Sequence, residues 1–171
     1  AAGHTVQARE AFLQELRHNP GDIDVIRDFG LFLLQNGEIE RAREKFNRIL
    51  ESEPDSALAV FYLGEIAFAG GEMDRAREMY NLAIQKNPSF AGPRYRLGKI
   101  AYTNGENEIA LAYLRTESEL NIEDNHVLLA MGNILMELGD LDYATDCFLR
   151  VIDEDHQNIE AFYGLGSALA I

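Results

Sequence analysis

The sequence contains one cysteine, few basic residues and no long apolar run. Cys147 is the single cysteine in 171 residues, so an internal disulfide is excluded and the redox compartment stays open. No apolar stretch approaches the roughly 18 residues that a membrane-spanning helix needs, and no charged-then-apolar leader opens the chain. We therefore expect no membrane insertion in this segment.

Basic residues are scarce relative to acidic ones, at 15 against 29, which gives a net charge of −14. A protein of this charge repels a phosphate backbone, so we expect no nucleic-acid partner. The net negative charge concentrates in 125–158, where few basic residues offset the acidic ones. The first interpretation is a solvated surface that keeps the protein soluble, and the alternative is a basic partner that docks on 137–155.

Sequence motifs of catalysis and metal binding are missing. The four histidines form no His-x-x-x-His pair, and no Cys-x-x-Cys spacing, phosphate-binding loop or Gly-x-Ser-x-Gly elbow occurs. We predict no metal site, no cofactor and no catalytic residue. An enzyme is expected only if a catalytic domain lies outside this segment.

Small residues recur with a period of 34. Glycine forms two series, Gly30, Gly64, Gly98, Gly132 and Gly166, and Gly3, Gly37, Gly71, Gly105 and Gly139. A third series is Ala8, Ala42, Ala76, Ala110 and Ala144, each followed four residues later by Phe12, Phe46, Tyr80, Leu114 or Phe148. A fixed period of this length indicates a stacked repeat protein.

Each repeat predicts two helices and two turns. In 57–90 the first helix should run from about Ala57 to Ala69, and the second from about Met73 to Lys86. The second glycine series, including Gly3, should form the inner turn in a left-handed conformation. Proline ends the second helix at Pro20, Pro54 and Pro88, whereas Ile122 and His156 replace it later. Small Gly64 and Ala76 should let the two helix axes approach closely.

These residues resemble the tetratricopeptide repeat. In 57–90 the pattern reads Val60, Leu63-Gly64, Ala67, Gly71-Glu72, Ala76, Tyr80, Ala83 and Pro88, and the resemblance covers the whole chain without insertion. It departs at Arg94, where a large apolar residue is expected, and at Glu15 and Glu117, where a small or apolar one is usual. The departures predict less tight packing in 91–124.

The resemblance implies an all-α fold, a right-handed α-solenoid, or superhelix, of antiparallel helix pairs. We interpret 1–171 as a single array with full repeats at 23–56, 57–90, 91–124 and 125–158. Residues 1–22 would be the second helix of a partial repeat, and 159–171 the first helix of another. We expect a fragment of a longer protein, because Phe162, Leu165 and Leu169 form an apolar stripe with no following helix.

In this family the outward face of each first helix lines a concave groove, where an extended peptide or a partner helix binds. Helical periodicity places Phe61, Tyr62 and Glu65 on that face in 57–90, away from Val60 and Gly64. The candidate peptide- or protein-binding residues along the array are Arg27, Leu31, Phe61, Tyr62, Glu65, Tyr95, Arg96, Lys99, Tyr102 and Asn133.

Arg96 and Lys99 lie three residues apart on one helical face. One hypothesis is that they hold an acidic group of a ligand while tyrosines supply contact area and Asn133 bonds the ligand backbone. The alternative is that the two cations pair with Glu65 and with acids of the next repeat, and that the aromatic rings pack between neighbouring first helices. The sequence leaves both open.

Two narrower functions of the family are not supported. The chaperone-tail clamp would find its first and last charges in Arg27 and Arg96, but Leu31, Tyr62 and Gly92 occupy its other positions. The groove asparagines of the sugar-transferase arm are replaced by Asp28, Tyr62, Arg96, Ala130 and Gly164.

The sequence therefore predicts a non-catalytic protein–protein interaction scaffold that binds a peptide or protein segment and helps to assemble a multiprotein complex. The alternatives are a substrate-recruiting arm of a larger enzyme, such as a glycosyltransferase, and a self-assembling array that forms a homo-oligomer through its uncapped terminal helix. The compartment is not determined: the cytoplasm is slightly favoured, and the periplasm stays open because upstream residues could carry a leader.

Overall fold

The computed structural model describes residues 2–120 and 124–170, which contain ten helices joined by short turns and no strand. This confirms the all-α fold class. The helices are α1 (Ala2–His18), α2 (Ile23–Gln35), α3 (Ile39–Ser52), α4 (Ala57–Ala69), α5 (Met73–Lys86), α6 (Pro93–Thr103), α7 (Asn107–Leu120), α8 (Asn125–Glu137), α9 (Leu141–Glu154) and α10 (Ile159–Leu169).

The helices belong to two compact units. Unit one, Ala1–Pro88, contains α1 to α5, in which α2 packs on α3 and α4 on α5, while α3 also packs on α4. Unit two, Ser89–Ile171, contains the pairs α6–α7 and α8–α9, followed by α10. Within unit two, α8 contacts both α6 and α10, so three first helices lie side by side.

The inner turns follow the second glycine series. Gly37, Gly71, Gly105 and Gly139 have φ between 74° and 78°, where a side chain would be strained. In each turn the next residue donates its N–H to a carbonyl five residues back, as Glu72 does to Ala67 at 2.9 Å, which closes the preceding helix. The prediction for Gly3 is wrong, because Gly3 lies inside α1. Ile122 lies outside the described residues.

Four first helices begin at a side-chain cap. Asp22, Ser56, Asp124 and Asn158 each accept a hydrogen bond from a backbone N–H in the first turn of α2, α4, α8 and α10. Such caps stabilise a helix by about 1 kcal/mol. Their 34-residue spacing repeats that of the glycines, although α6 lacks such a cap.

Each helix pair is packed around a glycine of its first helix. A Cβ added at Gly132 would lie 2.6 Å from the ring of Phe148, and one at Gly64 would lie 2.8 Å from the ring of Tyr80. The close approach of the two helices is therefore confirmed, but the side chain that faces Gly64 is Tyr80, while Ala76 is fully buried nearby. Phe148 is also within 2.5 Å of a Cβ added at Gly164 of α10.

Unit one also contains a charged cluster on its inner turn. Glu38 Oε2 accepts hydrogen bonds from Arg9 Nη1 at 2.8 Å and from Arg41 Nη1 at 2.6 Å. The Arg9 hydrogen bond, followed by that of Arg41, lowers the pKa of Glu38 to about 2 from its ordinary 4.5. This carboxylate therefore links α1 to the α2–α3 turn.

No helix in the described part of the chain is both long enough and apolar enough to cross a membrane.

Three glycine substitutions test the packing of Phe148. Gly132→Ala and Gly164→Ala should each lower the free energy of unfolding by about 1–3 kcal/mol, because the new Cβ displaces a fully buried ring. Gly166→Ala, in the same helix as Gly164 but with no atom within 4 Å of its added Cβ, should be neutral or stabilise by up to about 1 kcal/mol. Urea unfolding followed by circular dichroism measures all three, and equal effects would contradict the packing described.

The Glu38 cluster predicts a pH dependence of stability. A carboxyl whose folded pKa is depressed stabilises the fold above its ordinary pKa of 4.5, and this contribution is lost as the pH falls toward 2. Glu38→Gln should therefore lower the melting temperature near neutral pH and approach wild type in strong acid. Glu72, the counterpart 34 residues later, pairs with a single arginine among the described residues, Arg75 at 3.1 Å, and provides the matched control. If Glu72→Gln and Glu38→Gln change the pH profile equally, the Arg9 contact is unimportant.

Candidate functional site

A groove in unit two brings together residues from three first helices. It has a volume of about 280 Å³ and lies over α6, α8 and the start of α10. Four of the ten candidate residues line it, Tyr95, Lys99, Tyr102 and Asn133. The remaining lining residues are Gly98, Leu114, His126, Leu129, Ala130, Ile134 and Glu160. We call this surface the unit-two groove.

The floor of the unit-two groove is apolar and its rim is polar. Leu114 and Ile134 are almost completely buried, whereas Lys99, Tyr102 and Glu160 are exposed. Because Gly98 has no side chain, Leu114 of α7 can pack against it and form part of the floor. A Cβ added at Gly98 would lie 3.0 Å from Leu114 Cγ. An apolar floor with a few oriented polar groups is typical of ligand-binding grooves.

Two cations flank the ring of Tyr95. The Lys99 ammonium lies 5.5 Å from the ring centroid and the Arg96 guanidinium lies 6.0 Å from it. Each contact is of the cation–π type, which contributes about 0.5–1 kcal/mol at an exposed site. Arg96 does not line the groove, although it lies on the same helix as Lys99.

Tyr102 is held by an acidic residue of the neighbouring first helix. Its hydroxyl donates to Glu137 Oε1 at 2.5 Å, and Asn107 Nδ2 donates to Glu137 Oε2 at 3.2 Å. The hydrogen bond to Glu137 raises the pKa of Tyr102, so the proton stays on the phenol and the negative charge stays on the carboxylate. The ring of Tyr102 is thereby fixed at the groove rim.

Asn133 of α8 lines the unit-two groove. Its Nδ2 approaches Glu160 Oε1 of α10 at 3.5 Å, which is a long and weak hydrogen bond. The amide therefore keeps most of its hydrogen-bonding capacity, and its contact with a ligand backbone stays a prediction. His126, at the start of α8, faces the same groove.

The position of α6 depends on Glu117, a residue that sequence analysis treated only as a departure from the repeat pattern. Glu117 is 1% exposed, and its carboxylate accepts a hydrogen bond from the N–H of Gly92 at the start of α6. Burial raises the pKa of Glu117, while this backbone hydrogen bond and the charge of Arg94 oppose the rise. A carboxylate from α7 thus replaces the missing cap of α6.

The signal for this cap was present in the sequence. Arg94 and Glu117 are both charged where the pattern expects other residues, and opposite charges at two unusual positions of one repeat indicate a contact between its helices. Leu97, Ile100 and Ala110 of the same helix pair are buried. Each of the two side chains nevertheless keeps one buried atom, Arg94 Nη1 and Glu117 Oε2, without a hydrogen-bond partner among the described residues.

The candidate residues of unit one are engaged within that unit. Tyr62 stacks on Phe46 of α3 with ring centroids 5.0 Å apart, and Phe61 contacts the ring of Tyr80 at 5.8 Å. Tyr80 donates its hydroxyl to Glu65 at 2.6 Å. These contacts join α4 to the second helices α3 and α5, whereas the packing alternative expected contacts between neighbouring first helices. The role of the three residues in binding stays a prediction.

Arg27 and Leu31 lie on α2 in unit one. Arg27 pairs with Asp24 at 2.6 Å and with Asp28 at 2.9 Å, so its charge is compensated within one helix. Leu31 is partly buried against the core of unit one. Neither residue belongs to the unit-two groove.

Cys147 lies in α9, away from the groove lining, and is buried. Burial, followed by the charge of Asp146, raises the pKa of its thiol to about 11, so the reactive thiolate is suppressed. Within 2–120 and 124–170, no cluster of three or more His, Cys, Asp or Glu side chains has the geometry to hold a metal ion.

Comparison with known proteins agrees with this architecture. Residues 27–90 match the family model described as tetratricopeptide repeat. The structure of YrrB, described as a tetratricopeptide-repeat protein with an unusual peptide-binding site, has 26% sequence identity and a TM-score of 0.69, covering 94% of this chain and 82% of that chain. No curated protein sequence matches the chain significantly.

Two further solved structures share the fold. TTC0263, a thermophilic protein of Thermus thermophilus, has 20% identity and a TM-score of 0.75, covering 100% of this chain and 93% of that one. The first repeat domain of Spaghetti (RPAP3), bound to the HSP90 peptide SRMEEVD, has 19% identity and a TM-score of 0.62, covering 67% and 90%. The match of residues 27–90 to the family model, the ten helices of the described residues and these neighbours together indicate an architecture similar to that of tetratricopeptide-repeat proteins.

Proposed function

We propose that this protein is a non-catalytic interaction scaffold whose unit-two groove binds an extended segment of another protein. The observation that carries the proposal is the convergence of Tyr95, Lys99, Tyr102 and Asn133 on one groove. Tetratricopeptide-repeat proteins are generally interaction modules without catalytic activity. A multiprotein complex would form when segments of other proteins are bound in the unit-two groove.

The groove offers a bound segment two kinds of contact. Tyr95 and Tyr102 combine apolar area with few rotatable bonds, so little conformational entropy is lost when a ligand packs on them. Asn133 presents both a donor and an acceptor, which matches the peptide group. Because Glu137 and the cation–π contacts already fix the two rings, the site is preorganised and binding costs less ordering.

Two of the similar structures are consistent with this function. YrrB is described as having a peptide-binding site, and the Spaghetti domain is bound to a peptide. These properties belong to those proteins. For this chain they support a peptide-binding role without identifying the peptide.

A matched pair of tyrosine variants tests the proposal. Linear peptides are first selected from a random phage-display library on the immobilised protein, and the enriched peptide is then titrated by fluorescence polarisation. Tyr102→Ala should weaken binding about tenfold, as expected for an aromatic hot spot. Tyr143→Ala removes a tyrosine that is 65% exposed on α9, outside the groove, and should leave the affinity within about twofold.

Circular dichroism of both variants checks that the helices are intact. Failure to enrich any peptide, or equal loss of affinity in the two tyrosine variants, contradicts groove binding.

Self-association through α10 is a second candidate function, and one observation favours it. Phe162, Tyr163 and Leu169 are exposed on this helix, and exposed apolar groups of this size mark contact surfaces. Recruitment of substrates for a larger enzyme stays a prediction from the family resemblance alone.

Sedimentation velocity over a range of concentrations tests self-association. Wild type should show a concentration-dependent shift toward larger species, and Leu169→Glu should reduce it, because a charge cannot be buried in an apolar contact without a partner. A strict monomer at the highest concentration would exclude the homo-oligomer.

A further inference from the structure

The polar residues of the unit-two groove form two pairs that occupy the same positions in successive repeats. Lys99 of α6 and His126 of α8 form the first pair, and Asn133 of α8 and Glu160 of α10 form the second. Lys99 corresponds to Asn133 and His126 to Glu160, each shifted by one 34-residue repeat. The groove therefore changes from basic to acidic over one repeat.

The charges at the two ends lack counter-charges of their own among the described residues. The ion pairs in that part of the chain link Arg9, Arg27, Arg41, Arg43, Arg75 and Lys86 to nearby acids, and none of them includes Lys99 or Glu160. Lys99 rests on the ring of Tyr95, and the hydrogen bond of Glu160 within 2–120 and 124–170 is the long contact to Asn133. Both groups can therefore pair with a ligand.

Glu137 places a further negative charge beside Tyr102 on the α6 side, without being available for a ligand itself. Both of its oxygens accept hydrogen bonds from uncharged donors, Tyr102 and Asn107, so its negative charge is held in place but not neutralised. It lies at the end of α8, and its field opposes an acidic ligand group near that end. Lys99 remains the favourable position for such a group.

We infer that the segment bound in the unit-two groove carries an acidic side chain over Lys99 and His126 and a basic side chain over Glu160, and therefore binds in one direction. This inference rests on the proposed function. Lys99 and Glu160 lie on α6 and α10, on either side of α8, so two helix spacings separate them. Neighbouring helix axes lie about 8–10 Å apart and an extended chain rises about 3.3 Å per residue, so the two charges should be about five to six residues apart.

The arrangement differs from recognition of an acidic tail, because it requires both signs of charge in the ligand. A segment with two acids would place one of them against Glu160. Like charges in an interface are costly, and this repulsion gives the groove selectivity as well as orientation.

Charge-reversal variants test the inference with the same phage library of random linear peptides. Selection on the wild-type protein should enrich peptides with an acid and a base about five to six residues apart. Lys99→Glu should weaken the enriched peptide about tenfold, and replacing the peptide's acid by lysine should restore most of the lost affinity. Glu160→Lys should likewise weaken the enriched peptide about tenfold, and replacing the peptide's basic residue by an acidic one should restore most of the lost affinity.

Two variants outside the groove serve as matched controls for the same changes of charge. Arg115→Glu on α7 and Glu154→Lys on α9 alter the net charge equally but lie outside the groove lining, so they should leave the affinity within about twofold. An equal loss in these controls would show that net charge governs binding, which would overturn the inference.

The remaining outcomes separate this inference from the function on which it rests. The charge order is overturned if the enriched peptides depend on Tyr102 but show no paired charges. It is also overturned if the peptide with the complementary charge does not restore the affinity of the Lys99→Glu variant. In both cases groove binding remains in place. If no peptide is enriched, both proposals fail.

Discussion

The close contact between a first-helix glycine and a large side chain of the second helix is the constraint on which the repeats depend. Gly30 faces Phe46, Gly64 faces Tyr80 and Gly132 faces Phe148, and in each case an added Cβ would lie within 3.0 Å of the ring. Interiors are packed to nearly crystalline density, so such a contact tolerates little change of volume. It fixes the separation of the two helices and hence the positions of the residues on their outer faces.

The same contact shapes the unit-two groove. At Gly98 the facing side chain is Leu114, which is smaller than the rings of the other repeats and forms part of the groove floor. The start of α6 is fixed by Glu117 of α7, since glycine at the N-cap of α6 has no side chain to accept the hydrogen bond. Two features of the α6–α7 pair therefore determine how the groove residues of α6 are presented: Leu114 forms part of the groove floor, and Glu117 of α7 caps the start of α6.

The two units use their polar residues differently. In unit one, Arg27, Glu65 and Tyr62 are engaged by neighbours in the same unit, so these candidates contribute to internal packing and charge balance. In unit two, Lys99 and Glu160 have no charged partner among the described residues. A surface charge that the fold does not compensate can contribute to binding without first breaking an internal ion pair.

The turn glycines and the capping residues determined where the helices begin and end, because these signals act within a few residues along the chain. The 34-residue spacing determined which helices form a pair. The boundaries of α4 and α5 agree with the sequence prediction for this reason. The candidate groove face was also visible as a periodic pattern. Local signals failed at Gly3, where a turn residue of the pattern lies inside a helix.

Only the tertiary structure decided which candidate residues share a site. Tyr62 and Tyr95 are equally suited to binding by type, yet one stacks on Phe46 and the other lines a groove, because burial depends on residues that are distant in sequence. The pairing of Asn133 with Glu160 and of Glu117 with the start of α6 likewise arises between helices. Sequence periodicity specifies a face, whereas the contacts that neutralise or expose each charge on that face are set by packing.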